Sequence, residues 1–147
     1  MIIDEFNLIR SLDHPKIYRT YHAFTQPGKI YISTEIMRGG SLFDHIMLNK
    51  KIPEHQAKVV MRQLIMTIGY LHREGIVHRD MKSENVVLLE KNNLNKVKII
   101  DFGISRKLSE GETLKDYAGT LLYMAPEALE GKYGKEVDLW ALGVICF

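Results

Sequence analysis

The chain has 147 residues, 46% of them hydrophobic and 26% charged, which suits one soluble globular domain with enough apolar side chains for a real core. Its net charge of +2 excludes a strong electrostatic case for nucleic acid or an acidic membrane surface as partner. Cys146 is the single cysteine, which excludes an internal disulfide, and no apolar run approaches the ~20 residues that span a bilayer.

In chain order, Met1-Ile2-Ile3 meets Asp4-Glu5 at once, unlike a signal segment, so an intracellular, cytoplasmic protein is expected. Phe6, Leu8, Ile9 and Leu12 recur at near-helical spacing and predict a helix over 4–12, stopped by Asp13-His14-Pro15. Two strands follow, over 17–24 and 30–34, with a turn at Gln26-Pro27-Gly28. Residues 35–40 read as a linker closed by Gly39-Gly40, and Ser41 suits the N-cap of a helix over 42–47. Pro53-Glu54 opens the clearest helix. Ala57, Val60, Met61, Leu64, Ile65, Ile68 and Leu71 share one face of it, and Gly75 closes it. The β-branched runs 86–89 and 97–100 flank Asn92-Asn93 and predict a hairpin. Residues 103–124 are polar and glycine-spotted, the pattern of a long functional loop. A buried helix is expected over 137–147. Its end on Val-Ile-Cys-Phe, without a cap, reads as a cut.

Residues 78–85 read His-Arg-Asp-Met-Lys-Ser-Glu-Asn, and Asp101-Phe102-Gly103 and Ala125-Pro126-Glu127 follow in that order. Together they supply a proton acceptor, two oxygen ligands for a metal and a loop terminus, the parts of a phosphoryl-transfer site. Each has a plainer reading alone. A lone loop aspartate is most often a turn or cap, a lysine two residues on a solvated surface charge, and Phe102 core. Their order, with a strand-like run before Asp101 and a helix-like run before His78, outweighs those readings.

On these residues the chain resembles a eukaryotic protein kinase domain of the serine/threonine type, in the calcium/calmodulin- and calcium-dependent group, over residues 5–147. The resemblance implies an α+β, protein kinase-like fold, truncated at both ends. Residues 1–34 would be part of the small lobe, with the end of its helix and two strands. Residues 35–41 would be the hinge, and 42–147 the catalytic loop, metal-binding loop, activation segment and next helix of the large lobe. It further implies an enzyme that moves the γ-phosphoryl group of Mg-ATP to serine or threonine hydroxyls of a protein substrate. ATP and Mg²⁺ would be its cofactors, and a regulatory domain would lie outside these residues.

By the same resemblance Asp80 accepts the substrate hydroxyl's proton, Lys82 holds the γ-phosphate, and Thr120 of the Gly119-Thr120 pair joins them. Asn85 and Asp101 are the Mg²⁺ ligands, too few for a metal site of their own, so the ion is expected to arrive with the nucleotide. Phe102 packs near Ile9 and His78 in a stack anchored by Asp138, with Thr20 where a larger apolar residue is usual. Thr34 guards the back of the adenine slot, Glu35, Met37 and Ser41 are nucleotide-binding positions of the hinge, and Val87 forms the floor. Glu5, ten residues before Pro15, matches the glutamate that pairs with the nucleotide-positioning lysine. That lysine and the glycine-rich phosphate loop are absent from the 147 residues, so the chain alone is expected to be inactive. The alternative is a short kinase-derived protein that acts by binding, as a decoy or regulator. Glu84 matches a glutamate that meets basic residues ahead of the target, and Ser41 replaces a second acidic residue, implying moderate basophilic selection. Asp116, three before Gly119, stands where a phosphorylated residue pairs with the arginine matched by Arg79, implying activity without loop phosphorylation.

Overall fold

The computed structural model describes residues 2–147. Helix α1 (Ile2–Arg10) turns Phe6 and Ile9 into the core. The antiparallel hairpin β1 (Thr20–Gln26) and β2 (Lys29–Thr34) closes through Pro27-Gly28, where Gln26 faces Lys29 and Gly28 takes φ +75°. That left-handed φ costs a glycine nothing. The first strand starts later than its sequence suggests. Ile17 leaves the hairpin to bridge Ile99 in parallel, and lies 2% exposed in the core.

The linker over 35–40 runs beside β4 (Val86–Leu88), with the Gly39 N–H donating to the Leu88 carbonyl at 2.9 Å. A Cβ at Gly39 would collide with the Leu88 side chain, so only glycine allows this approach. Helix α2 (Leu42–Asn49) opens on a capping box between Ser41 and Asp44. Helix α3 (Glu54–Arg73) buries Val60, Leu64, Thr67, Ile68 and Leu71. Ile65, expected on that face, is 54% exposed. Thr67 faces inward instead and satisfies its hydroxyl by donating to the Gln63 carbonyl at 2.7 Å.

Three further strands are short: β3 (Ile76–Val77), β5 (Val97–Ile99) and β6 (Arg106–Lys107). Antiparallel pairs form between β3 and β6 and between β4 and β5, the second being the expected hairpin. The segment 103–124 is less loop-like than its composition, since β6, a Leu114–Tyr133 bridge and a 3-10 turn at Leu121–Tyr123 fall within it. Helix α4 (Pro126–Glu130) has proline at its first turn and ends on Gly131 at φ +77°. Helix α5 (Val137–Cys146) is buried on one stripe only. Val137, Asp138, Ala141 and Leu142 face inward, whereas Leu139 is 54% and Trp140 48% exposed. Its mean apolarity suggested burial all round, but only α3 and its neighbours cover it. The main core joins Leu64, Ile68 and Leu71 to Val86, Leu88, Ile99, Phe102 and Leu142. Among the described residues no helix is long and apolar enough to cross a membrane.

Candidate active site

Asp138, 1% exposed on α5, organises the loop after β3. Its Oδ2 accepts the His78 N–H at 2.9 Å and the His72 Nε2–H at 2.8 Å, and its Oδ1 accepts the Arg79 N–H at 2.9 Å. Three donors on one carboxylate leave none of these buried N–H groups unpaired. Arg79 stands at φ +70°, a strained conformation for a side chain with a Cβ, and these bonds hold it there. Its Nε donates to the Ile104 carbonyl at 2.6 Å, and its Nη1 to Asp116 at 2.8 Å and Tyr133 Oη at 3.1 Å.

His78 is fully buried, and burial holds its pKa below the ordinary imidazole value. The ring is therefore neutral. Its Nδ1 accepts the Asp80 N–H at 3.3 Å, so the proton sits on Nε2 and is donated to the Ile100 carbonyl at 3.2 Å. One ring thus ties the residue before Asp101 to the backbone of Asp80. The edge of Phe102 meets the same ring, with centroids 4.8 Å apart.

The Asp80 carboxylate accepts three hydrogen bonds, one from each of three residues. Thr120 Oγ1 donates to Oδ1 at 2.7 Å, and Lys82 Nζ to Oδ2 at 2.7 Å. Asn85 Nδ2 donates to the Asp80 carbonyl at 2.8 Å and reaches Oδ2 at 3.2 Å. Lys82 also donates to Thr120 Oγ1 at 2.9 Å. Partial burial works to raise the Asp80 pKa, but the Lys82 and Thr120 hydrogen bonds and the Lys82 charge outweigh it and leave it lowered. Lys82 moves up: burial opposes its charge, and the Asp80 bond and charge more than compensate. Both groups are ionised at neutral pH.

Asn85 and Asp101 meet because of strand register. Val86 faces Ile99 across β4 and β5, and the Ile100 N–H donates to the Asn85 carbonyl at 3.0 Å, so Asp101 emerges beside Asn85. Asp101 is exposed at φ +65°, with the Gly103 N–H on its Oδ1 at 3.3 Å. Because Asn85 spends its Nδ2 on Asp80, its amide oxygen is left for another partner. One amide oxygen and one carboxylate suit a hard cation shared with phosphate oxygens. Among the described residues no cluster of three or more acidic, His or Cys side chains is placed for a metal.

Glu5 reaches this centre from α1. Its Oε1 accepts the Phe102 N–H at 3.1 Å and the Tyr18 hydroxyl at 3.2 Å. Burial first, then the Glu5 charge, pushes the Tyr18 hydroxyl pKa up, so the phenol stays protonated and donating. Glu84 Oε2 accepts from Ser83 at 3.2 Å and Tyr123 at 3.3 Å and remains exposed near Asp80 in the chain. Thr20 leaves its Oγ1 buried without a partner among the described residues.

The linker residues behave differently from the rest. Glu35 turns its carboxylate away, to Lys98 Nζ at 2.6 Å and the Arg19 N–H at 2.6 Å. Ser41 is spent on its helix cap, donating to Asp44 Oδ2 at 2.6 Å. Thr34, Met37 and Val87 are all half-buried, with Thr34 Oγ1 on the Glu35 carbonyl at 3.2 Å and Val87 bridged to Ser41.

The protein kinase domain family model matches residues 1–147. The chain belongs to that family. The SNF1-related protein kinase catalytic subunit alpha KIN12 of Arabidopsis thaliana is 42% identical over 144 residues, which are 97% of this chain and 28% of that protein. Calcium-dependent protein kinase 5 of Plasmodium berghei (strain Anka) is 35% identical over 143 residues, 97% of this chain and 25% of the relative. The probable serine/threonine-protein kinase fhkC of Dictyostelium discoideum is 40% identical over 151 residues, 99% of this chain and 25% of its own length. The chain thus spans about a quarter of the length of the curated relatives it matches. These names support a serine/threonine kinase family, including calcium-dependent members.

Within this kinase-family chain, motif reading found Asp80, Lys82, Asn85, Asp101 and Asp138 but passed over His72, Lys98 and Tyr133. Lys98 carried a signal, a charge inside the β-branched run Val97-Lys98-Ile99, where a partner has to be found if the strand is buried. Its 8% side-chain exposure and the 2.6 Å bond to Glu35 supply that partner.

Proposed function

We propose that this chain carries the catalytic centre of an ATP-dependent protein serine/threonine kinase. The observation that carries the reading is the Asp80 carboxylate, ionised and held by Lys82, Thr120 and Asn85, beside Asp101. Asp80 orients the acceptor hydroxyl in line with the γ-phosphorus and receives its proton, while Lys82 swings from Asp80 to the transferred group as a point charge. Thr120 fixes the carboxylate that the hydroxyl meets. Asn85 and Asp101 would hold Mg²⁺, which supplies charge neutralisation at the phosphates when bound. Positioning and electrostatics then do most of the work of catalysis, since there is little covalent chemistry for the protein to perform.

The nucleotide's adenine is assigned to the slot between Thr34, the backbone of Glu35 and Met37, and Val87. The Glu35 carboxylate and the Ser41 hydroxyl are engaged elsewhere, so main-chain groups read the base there. Glu5 is assigned to a lysine outside these residues, and its bond to the Phe102 N–H keeps it near the metal-binding loop. In this reading residues 1–34 belong to the small lobe, 35–41 to the hinge and 42–147 to the large lobe.

Glu84 receives a basic residue ahead of the target serine or threonine, with moderate selection because Ser41 offers no second carboxylate. Asp116 on Arg79 stands in for a loop phosphate, so activity needs no phosphorylation of the segment between Asp101 and Glu127. A carboxylate brings one charge against nearly two for phosphate, which makes the latch weaker. We place the protein in the cytoplasm, with a regulatory domain outside these residues. The test supplies a glycine-rich loop and a lysine-bearing strand ahead of Met1 and measures Mg-ATP-dependent labelling of a serine peptide with and without an upstream arginine. Labelling that requires Asp80 supports the reading. No labelling from a folded, nucleotide-binding protein refutes it.

A further inference from the structure

Two serines in the chain follow an arginine by three residues, Ser41 after Arg38 and Ser109 after Arg106. Spacing of this kind is what an arginine-directed serine/threonine kinase reads, by placing the guanidinium on a carboxylate while the hydroxyl reaches the reacting phosphorus. The fold treats the two serines in opposite ways. Ser41 Oγ accepts the Asp44 N–H at 3.0 Å and donates to Asp44 Oδ2 at 2.6 Å, and Gly40 before it is left-handed at φ +76°. That hydroxyl is occupied, and its backbone cannot be laid out straight without uncapping α2.

Ser109 is the reverse. It is exposed, and its Oγ finds no partner among the described residues. Arg106 and Lys107 form β6, so the backbone ahead of Ser109 is already extended, the shape a substrate segment must have to lie along a kinase cleft. Both basic side chains are exposed. What holds the segment is slight: the two-residue pairing with β3, one bond from the Leu108 N–H to the Gly75 carbonyl at 2.7 Å, and a turn in which the Ser109 N–H meets Glu112 Oε2 at 2.9 Å. Opening so short a ladder is a local event.

We propose that Ser109 is a phosphorylation site, read through Arg106, and that Ser41 is silent in the folded chain. In the step, the Ser109 Oγ forms a bond to the γ-phosphorus of ATP as the bond to the ADP oxygen breaks. The hydroxyl proton passes to the base of the modifying kinase, leaving phosphoserine and ADP. The inference needs no catalysis by this chain, so it stands or falls separately from the kinase activity proposed above.

The test uses residues 1–147 as substrate for the catalytic subunit of cyclic AMP-dependent protein kinase, an arginine-directed enzyme, with sites mapped by mass spectrometry. The native chain should incorporate phosphate at Ser109 and not at Ser41, whereas the urea-unfolded and diluted chain should take it at both. Arg106→Ala should lower the Ser109 rate about tenfold or more, the worth of one charge-assisted hydrogen bond. Glu112→Gln should leave that rate equal or higher, because it loosens the turn. Circular dichroism of each variant establishes that it retains the parental fold. Labelling of native Ser41 in preference to Ser109, an Arg106→Ala chain labelled at the parental rate, or a rate lost with Glu112→Gln but kept with Arg106→Ala would overturn the proposal.

Discussion

Asp138→Asn is the sharpest perturbation of the loop that bears Arg79 and Asp80 at nearly unchanged side-chain shape. The native carboxylate accepts from His72 and the His78 N–H through Oδ2 and from the Arg79 N–H through Oδ1. An amide has a single acceptor oxygen. If that oxygen keeps the two donors on the Oδ2 side, its NH₂ faces the Arg79 N–H, and both that N–H and the new amide N–H are left buried without an acceptor. At about 1–3 kcal/mol for each unsatisfied buried group, the loss is about 2–6 kcal/mol. Against a domain stability of about 5–15 kcal/mol that is severe. The cost should fall where the backbone is most strained, since Arg79 at φ +70° depends on the bond that breaks. Asp138→Leu leaves all three donors unpaired and should be worse still. Trp140, the single tryptophan and two residues along α5, reports urea unfolding by its fluorescence. If Asp138→Asn shifts stability by less than about 0.5 kcal/mol, or Asp138→Leu proves the milder change, satisfaction of these donors is not what holds the loop.

In a protein extended with the glycine-rich loop and lysine strand, Asp80→Asn should reduce kcat by about 10²–10⁴-fold, as loss of a proton acceptor does, with the KM for ATP little changed. The 147 residues by themselves should show no Mg-ATP-dependent phosphorylation of a serine peptide above a no-enzyme control. Lys98→Met leaves the Glu35 carboxylate with the Arg19 N–H alone and should destabilise by about 3–5 kcal/mol in urea, most of which adding Glu35→Leu should recover. Asp116 has its pKa lowered chiefly by the Arg79 hydrogen bond, with partial burial opposing and the Arg79 charge assisting. Its contribution is therefore present above the unfolded value of 3.8 and disappears as pH falls through the lower folded value. Because Asp116 is 52% exposed, that contribution is about 0–1 kcal/mol, so the stability gap between parent and Asp116→Ala should be small at pH 7 and vanish in strong acid.

Much of the fold was legible where the signal is local. The stripe on α3 follows from apolar spacing, and only Ile65 and Thr67 exchange places, because the stripe is narrower than the run of apolar residues suggests. The capping box at Ser41 and the hairpin of β4 and β5 also follow from neighbouring residues. Ile17 did not, since its partner Ile99 lies far along the chain and nothing beside it marks the departure from β1. The two-residue strands β3 and β6 are too short for any alternation to register. Helix α4, just past the stretch 103–124 that reads as loop, carried its punctuation in Pro126 at the start and Gly131 at the end.

The candidate site divides along the same line. Its residue types were visible as ordered strings, but the conformation that makes them useful is imposed from a distance. Neither Arg79 at φ +70° nor Asp101 at φ +65° would choose the left-handed region by its own preference. Arg79 is held by Asp138, 59 residues away, and by Ile104 and Tyr133 through its side chain. Tyr133 in turn donates to the Asp116 carbonyl at 2.7 Å, so the ring that receives Arg79 also fixes the backbone of its ion-pair partner. Gly119 completes the enclosure: at φ +113° a Cβ there would lie 2.5 Å from the Arg79 carbonyl, so only glycine lets the segment leading to Thr120 press against the loop that bears Asp80. Substitutions at Tyr133 and Gly119 thus reach Asp80 through Arg79 and Thr120 without touching a substrate, because each contact joins segments far apart in the sequence.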